Sequence, residues 1–235
     1  MENRITNSIL VALTLLGLAC TSTRVIVPAM VITPVDESAI VYDFRVNLNI
    51  LTHESTQSNY PVTYTAIDRA LKEWEKHVPV KFDVYMELEN PPFGITGITR
   101  SLSPVRIIIG DLQSPQMGYE HLDRVVGLWD PVQQRLLFDG DTLEIDSEMA
   151  YIVALHEVGH MLGVPHIVSD TEEFVFNGYI RVKDNASGYV MYPNVGNSQT
   201  GELSQIEIDI ATNHVKHHMT GDSVGFGVDG CRYHR

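Results

Sequence analysis

Short runs in which apolar and polar residues alternate predict most of the β-strands of this chain. Five strands are expected, at residues 39–48, 81–88, 105–112, 125–129 and 135–138. Residues 105–112 (VRIIIGDL) are nearly all apolar at their centre, which is typical of a strand that is buried on both faces. The last two strands flank Asp130 and Pro131 and predict a hairpin. Residues 89–100 contain two prolines and two glycines and predict a loop.

Apolar residues that recur every three or four positions predict three helices. The first helix is expected to begin with Thr65 as its N-cap. Its apolar face consists of Ile67, Ala70, Leu71, Trp74 and Val78. Asp146 or Ser147 caps the second helix, and a capping box formed by Ser204 and Glu207 begins the third.

The sequence near the predicted end of the second helix, at Leu162, carries a metal-binding pattern. Residues 156–166 read HEVGHMLGVPH. His156 and His160 are four positions apart, so both side chains lie on one face of a helix and can bind one metal ion. The alternative is a set of core or surface histidines that align by chance.

A third ligand can reach the same metal once the helix has ended. Gly163 can adopt the left-handed conformation that ends a helix, and Pro165 prevents the helix from resuming. His166 can then approach the metal from outside the helix. Three protein ligands, with the fourth position left to water, are typical of catalytic zinc sites. We therefore expect one Zn²⁺ bound by His156, His160 and His166.

Glu157 lies between the first two histidines and gives the metal site a catalytic interpretation. A carboxylate beside a metal-activated water can take a proton from that water and later deliver it to a leaving amine. A structural zinc site needs no carboxylate between its ligands; an incidental surface Glu is the alternative. The expected reaction is hydrolysis of a peptide bond by metal-activated water, without a covalent acyl-enzyme.

The pattern H-E-x-x-H-x-x-G-x-x-H is the signature of the metzincin metallopeptidases, and the chain resembles that family. Residues 188–193 (GYVMYP) look like the Met-turn that these enzymes carry beneath the metal. The Met-Tyr-Pro sequence at residues 191–193 is close to the form found in the matrixins, which are matrix metalloproteinase-like enzymes. The resemblance implies that Met191 is not a ligand and packs as an apolar floor under the histidines.

Similarity to the matrixins extends on both sides of the zinc motif. Residues 66–74, 78–82 and 203–210 are similar to the first helix, the second strand and the last helix of that subfamily. The resemblance covers about residues 40–218, and a catalytic domain is expected at residues 39–220. It implies a zincin-like (metzincin) α+β fold, in which a twisted mixed β-sheet accompanies an active-site helix and two further helices.

The chain also departs from the matrixin pattern. Ile167 stands where matrixins usually have Ser, and residues 167–190 make the spacing to the Met-turn longer than is usual. This insertion is expected either to cover the cleft and shape specificity or to form an exposed flexible loop. The resemblance further implies that residues 193–202 wall a substrate pocket. A peptide would lie extended along an edge strand at residues 125–130.

Two further groups have the composition of metal ligands. Asp139, Asp141 and Asp146 could bind Ca²⁺, because hard cations prefer clustered carboxylates, and matrixins do bind calcium. Calcium is therefore an open alternative here. Residues 214–218 (HVKHH) place three histidines at helical spacing, but histidine near a helix C-terminus is favoured by the helix dipole alone. A solvated helix face is the simpler interpretation of that second group.

The N-terminus is typical of an exported protein. Residues 1–20 contain an apolar run at 9–19 that is too short to span a bilayer and has the length of a signal-peptide core. A buried N-terminal helix is the alternative. Cys20 occupies the position of a lipidated cysteine in a bacterial lipoprotein signal, so a lipid anchor and plain secretion are equal alternatives. Residues 21–38 are expected to form a linker.

Length, charge and cysteine content restrict the protein class. The 235 residues are 44% hydrophobic, which fits one domain with short extensions and a Gly-rich tail at residues 221–235. Sixteen Lys and Arg residues against 30 Asp and Glu residues give a net charge of −14, which argues against nucleic acid as a partner. Apart from Cys20, only Cys231 is present, so a disulfide framework is not expected.

Two functional interpretations follow. The first is a zinc-dependent endopeptidase that acts on extracellular or surface proteins, monomeric, with a protein or peptide substrate. Its contact with a membrane would be limited to a lipid anchor at Cys20. The alternative is a catalytically silent, zinc-containing peptide-binding or surface lipoprotein module. Glu157 favours the first interpretation, because binding a peptide does not require a base beside the metal.

Overall fold

The computed structural model describes residues 45–87, 105–112, 125–170, 178–194 and 199–218. All of them belong to one compact unit, residues 42–235. The predicted signal peptide at 1–20, linker at 21–38, loop at 89–100 and tail at 221–235 lie outside the described residues, as do Cys20 and Cys231. The structure therefore describes only part of the catalytic domain expected at 39–220.

A five-stranded sheet forms the frame of the described fold. Its strands are β1 (Val46–His53), β2 (Val80–Glu87), β3 (Val105–Gly110), β4 (Gly127–Asp130) and β5 (Arg135–Asp139). Their order is β2-β1-β3-β5-β4. β1 pairs in parallel with β2 and β3, β3 pairs in parallel with β5, and β4 pairs antiparallel with β5. The predicted mixed sheet and hairpin are confirmed, and β4 is an edge strand of the described sheet.

Five helices accompany this sheet in the described residues. They are α1 (Glu54–Asn59), α2 (Pro61–His77), α3 (Gly140–Leu143), α4 (Ser147–Met161) and α5 (Gln205–His218). The α+β class is thus confirmed, and the three predicted helices correspond to α2, α4 and α5. The short helices α1 and α3 were not expected. Within the described residues, every helix falls short of the length and apolar character needed to cross a membrane.

The predicted N-cap of the first long helix, Thr65, is wrong. The helix begins one turn earlier at Pro61, and the Thr65 hydroxyl donates to the Pro61 carbonyl at 2.7 Å from within the helix. The first N–H groups are capped from a distant part of the chain. The Glu144 carboxylate accepts from Val62 N at 2.8 Å and from Thr63 N at 3.1 Å.

Two strand predictions need correction. The first strand, expected at 39–48, continues to His53, while its predicted residues 39–44 lie outside the described part of the chain. β3 is fully buried on one face only: its residues alternate, with Ile107 buried and Arg106 exposed. Ile108 is partly buried against a smaller apolar cluster on the opposite face of the sheet. The apolar residues of β3 thus contact two apolar clusters of unequal size, one on each face of the sheet.

The main core lies between the sheet, α2 and α4. Every residue from 150 to 161 of α4 is buried, as expected of a helix that is enclosed on all sides. The predicted apolar face of α2 is buried, and Trp74 in that face is fully enclosed. The Trp74 indole N–H donates to the Leu155 carbonyl at 3.0 Å. This bond joins α2 to the helix that carries the histidine motif.

The insertion at residues 167–190 contributes regular structure at both ends. β6 (His166–Ser169) and β7 (Tyr179–Val182) form a two-stranded parallel sheet, and a 3-10 turn follows at Ala186–Gly188. Ile167 and Val168 are fully buried, and the Ser169 hydroxyl accepts from Ala186 N at 2.8 Å. The first of these ends is therefore buried, and both ends contain a strand where a flexible loop was one of the two expectations. Residues 171–177 lie outside the described chain.

Candidate metal centre

Three histidine rings meet at the end of α4. The ring centroids of His156 and His160 are 4.6 Å apart, and those of His160 and His166 are 4.7 Å apart. The third pair, His156 and His166, is separated by 5.3 Å. One ligand atom from each ring lies within 4.8 Å of the other two, which is close enough to bind one metal ion. The predicted grouping of these residues is confirmed.

A backbone carbonyl orients the first histidine. His156 Nδ1 lies 2.6 Å from the Val190 carbonyl oxygen. A carbonyl oxygen can only accept, so Nδ1 carries the proton and the lone pair of the neutral ring is on Nε2. Hydrogen bonds of this kind fix both the tautomer and the ring orientation of metal-binding histidines.

The turn that ends α4 orients the second histidine. Gly163 has φ +84°, as predicted, and its N–H donates to the His160 carbonyl at 3.0 Å. Val164 N–H donates to the Gly159 carbonyl at 2.9 Å, which completes a Schellman motif. The Val164 carbonyl then accepts from His160 Nδ1 at 2.8 Å. One turn therefore ends the helix and fixes the His160 ring.

The third histidine is placed by β6. His166 is the first residue of that strand and is buried. The next residue, Ile167, donates its N–H to the Met191 carbonyl at 2.9 Å. The strand that carries His166 is thus bonded directly to the segment whose Val190 carbonyl orients His156. His166 reaches the group from outside the helix, as the sequence predicts.

Burial keeps at least two of these rings neutral. It lowers the pKa of His156 to about 4, although the hydrogen bond with the Val190 carbonyl acts in the opposite direction. Burial, with a smaller contribution from His156, lowers the pKa of His166 to about 2. Neutral imidazole is the form that binds metal ions. The site is therefore in its ligating form near neutral pH.

Glu157 points from α4 towards the edge strand β4. Its side chain is buried, and its carboxylate accepts a hydrogen bond from the backbone N–H of Trp129. Burial raises the pKa of Glu157 to about 8, and the Trp129 hydrogen bond opposes that shift. A Cβ on Gly127 would stand 2.9 Å from Glu157 Cγ, so β4 approaches this carboxyl group only because residue 127 has no side chain. A nearby cation would lower the Glu157 pKa.

Met191 packs against the histidine-bearing helix. It is fully buried, and its Sδ atom lies over Gly159 of α4. Its N–H donates to Glu207 at 2.8 Å, and Glu207 also forms the predicted capping box with Ser204.

The other candidate ligands have different surroundings. Asp139 accepts from Thr142 N and caps α3, and Asp146 accepts from Glu148 N and Met149 N and caps α4. Among the described residues, the three histidines are the only group of three or more His, Cys, Asp or Glu whose ligand atoms converge. Asp141 therefore does not join Asp139 and Asp146 in a comparable group.

In the second candidate group, at residues 214–218, the His214 ring packs against Gly163.

Sequence reasoning missed four residues that shape this site. Gly159 and Gly127 allow close packing, Gln199 binds the segment around Met191, and Trp74 binds α4. Gly159 stands inside the histidine motif, where a glycine in a helix interior is itself a signal of close packing. Gln199 gives no such signal. In the proposed pocket wall, residues 195–198 lie outside the described chain.

Comparison with known proteins does not identify a family. No protein-family model matches this chain. No curated protein matches it either. The functional interpretation therefore depends on the motif and on the geometry of its side chains.

Proposed function

We propose that this chain is a zinc-dependent endopeptidase with a zincin-like fold of the metzincin, matrixin-like type. One observation carries the proposal: three buried imidazoles converge at the end of α4, and the carboxyl group of Glu157 projects from the same helix towards an edge strand. A binding module would need neither the carboxylate nor its position beside that strand.

The histidine group fits zinc. Zn²⁺ binds neutral imidazole nitrogens, and catalytic zinc sites commonly use three protein ligands. His156 and His160 have their Nδ1 atoms on backbone carbonyls, so each presents Nε2 as the ligand atom. Zinc, when bound, supplies Lewis acidity that lowers the pKa of water and polarises a carbonyl group.

Glu157 performs the proton transfers in this proposal. Its carboxylate removes a proton from the attacking water and then delivers that proton to the leaving amine. Burial raises the pKa of Glu157, and the positive charge of a bound metal would lower it again. Proton exchange at neutral pH requires a Glu157 pKa between the high value that burial alone gives and the ordinary low value of a carboxyl group. The backbone N–H of Trp129 bonds the carboxyl group and so holds it beside β4.

The substrate is proposed to be an extended peptide that adds to the edge of β4. Main-chain hydrogen bonds along an edge strand would bind a peptide without regard to most of its side chains. Gly127 brings this strand close to Glu157, so a peptide on its outer edge would pass the metal site. We propose that the enzyme acts on extracellular or surface proteins, either secreted or anchored through Cys20.

Metal removal and replacement test this function. A chelator should abolish peptide cleavage by the full chain, and stoichiometric Zn²⁺ should restore it. Co²⁺ should also restore it, because it accepts the same tetrahedral nitrogen ligands, whereas Ca²⁺ and Mg²⁺ prefer oxygen ligands and should not. Cleavage that persists in the metal-free protein would refute the proposal.

A further inference from the structure

The segment that orients His156 is held on one side by a buried amide. Gln199 is 6% exposed, and its Nε2 atom donates to carbonyl oxygens of the turn at residues 189–192. The distances are 3.1 Å to Tyr189 O, 3.2 Å to Val190 O and 3.5 Å to Tyr192 O. The two N–H groups of this amide thus face three carbonyl groups of a single turn, with the shorter contacts to Tyr189 and Val190.

A buried carboxylate holds the N–H groups of the same turn. Glu207 is fully buried at the start of α5, and its Oε1 accepts from Met191 N at 2.8 Å. Its Oε2 accepts from Ser204 N and from the Ser204 hydroxyl, both at 2.7 Å. A capping box needs only the Ser204 bonds. The bond to Met191 is additional, and it connects α5 to the turn.

Gln199 and His156 both bond the same carbonyl group of this turn. Val190 O accepts from Gln199 and also from Nδ1 of the metal ligand His156, at 2.6 Å. The position of that oxygen sets the direction in which His156 presents Nε2. We propose that Gln199 and Glu207 are positioning residues for the metal site, which set the orientation of His156 through the turn at 189–192. This inference rests on metal binding as part of the proposed function.

The cost of burial supports a role beyond packing. Burial raises the pKa of Glu207, against the hydrogen bonds from Ser204 and from the backbone of Met191 and Val190. A buried carboxyl group is costly unless its hydrogen bonds are satisfied. An apolar side chain at residue 207 would fill the same space at lower cost, but it could not bind the turn.

Zinc affinity tests the inference without any need for peptide cleavage. Gln199→Met keeps the length of the side chain and removes its N–H donors, while Glu207→Gln places an N–H group among the donors of Met191 and Ser204. Each full-chain variant is titrated with Zn²⁺ against a chromophoric chelator. We expect zinc affinity about 10- to 100-fold below that of the wild type, the usual effect of losing an outer-shell partner.

Matched controls come from the same segment of the chain. Gln205→Met and Glu202→Gln change side chains at exposed positions, and Gln205 bonds Asp209 within α5 instead of the turn. Both controls should bind zinc like the wild type. The visible spectrum of the Co²⁺-loaded protein supplies a second readout. Gln199→Met and Glu207→Gln should change it, because a rotated His156 alters the ligand geometry, and the controls should not.

A purely structural role predicts a different pattern. It would lower the unfolding temperature of the metal-free variants and leave zinc affinity and the Co²⁺ spectrum of the folded protein at wild-type values, which would overturn the inference. If Gln199→Met does not fold, the Glu207→Gln titration decides. A wild type that binds zinc and cleaves no peptide would refute the peptidase and leave this inference intact. A wild type that binds no zinc would overturn both.

Discussion

Gly159 lies directly against Met191. A Cβ at residue 159 would stand 2.5 Å from Met191 Sδ and 3.1 Å from Trp74 Cζ2. Because residue 159 has no side chain, α4 can contact both Met191 and Trp74 of α2 between the helical turns that carry His156 and His160. A glycine is normally unfavourable at this position of a helix, so the close contact explains its presence.

Gly159→Ala should destabilise the protein despite the better helix propensity of alanine. Overpacking a core costs typically about 1–3 kcal/mol, whereas alanine gains up to about 1 kcal/mol over glycine in a helix. We expect a lower free energy of unfolding, measured with denaturant. Gly188→Ala is the control, because a Cβ there meets no atom within 4 Å. A Gly159→Ala variant as stable as the wild type would show that Met191 can move aside freely.

Gly163→Ala should be destabilising for two separable reasons. The φ of +84° is unfavourable for alanine, and the added Cβ would overlap the His214 ring. Gly201 has φ +69°, and a Cβ there would lie 3.3 Å from its nearest neighbour, the Tyr151 ring, so Gly201→Ala combines a similar backbone cost with a much milder contact. We expect Gly163→Ala to lose more stability than Gly201→Ala, in the range of about 1–3 kcal/mol.

A double-mutant cycle isolates the ring contact. Adding His214→Ala to Gly163→Ala should recover part of the lost stability, since the overlap disappears while the backbone cost stays. Thermal unfolding of the four proteins gives the interaction free energy. Strict additivity of the two substitutions would contradict the contact.

Because Glu144 caps α2, its replacement should cost more stability than the replacement of the nearby Glu148. Glu144→Ala should lower the free energy of unfolding by about 1–2 kcal/mol, because the first N–H groups of α2 lose their acceptor. Glu148→Ala removes an exposed pair with Arg69 at 3.5 Å and should change stability by less than about 1 kcal/mol. Equal losses in chemical denaturation of the two variants would exclude the capping role of Glu144.

The Glu144 cap illustrates which features local sequence can predict. Asp146, Gly163 and Ser204 lie beside the helix ends that they define, so capping chemistry identifies them from neighbouring residues. Glu144 lies more than eighty positions from the amides it caps. No local pattern reports such a bond, and the predicted N-cap at Thr65 failed for that reason.

The same distinction applies to the metal site. The spacing of His156 and His160 on one helix turn, with a glycine before His166, predicted the histidine group. Gln199 acts through a tertiary contact with backbone carbonyls, which any donor of suitable length could make. The two-stranded sheet of β6 and β7 was also missed, because short parallel pairing depends on distant residues.

Glu157 should make the stability of the metal-free protein depend on pH. Burial raises its pKa to about 8 from 4.5, so the folded state keeps a proton that the unfolded state has lost between these values. Its favourable contribution is present below pH 4.5 and is lost as the pH rises towards 8. Relative to Glu157→Gln, the wild-type free energy of unfolding should fall by up to about 1.4 kcal/mol per pH unit.

Denaturant unfolding in the presence of chelator, between about pH 5 and pH 8, measures this difference. Glu202→Gln is the control, and its difference from the wild type should not change with pH. Zinc should reduce the effect in the wild type, since a nearby cation lowers the Glu157 pKa. If the wild type gains stability relative to Glu157→Gln as the pH rises, or if the difference does not change with pH, the carboxyl group is not buried in its protonated form.

Cleavage of a diverse quenched-peptide library by the wild-type chain and by Glu157→Gln, with zinc content measured in both, tests the proposed peptidase most directly. Both proteins should hold one zinc ion through the three histidines. The variant should cleave about 10²- to 10⁴-fold more slowly, the usual contribution of a general acid–base. Equal cleavage by the two zinc-loaded proteins, or none by the wild type, would contradict the assignment of Glu157 and of the peptidase activity.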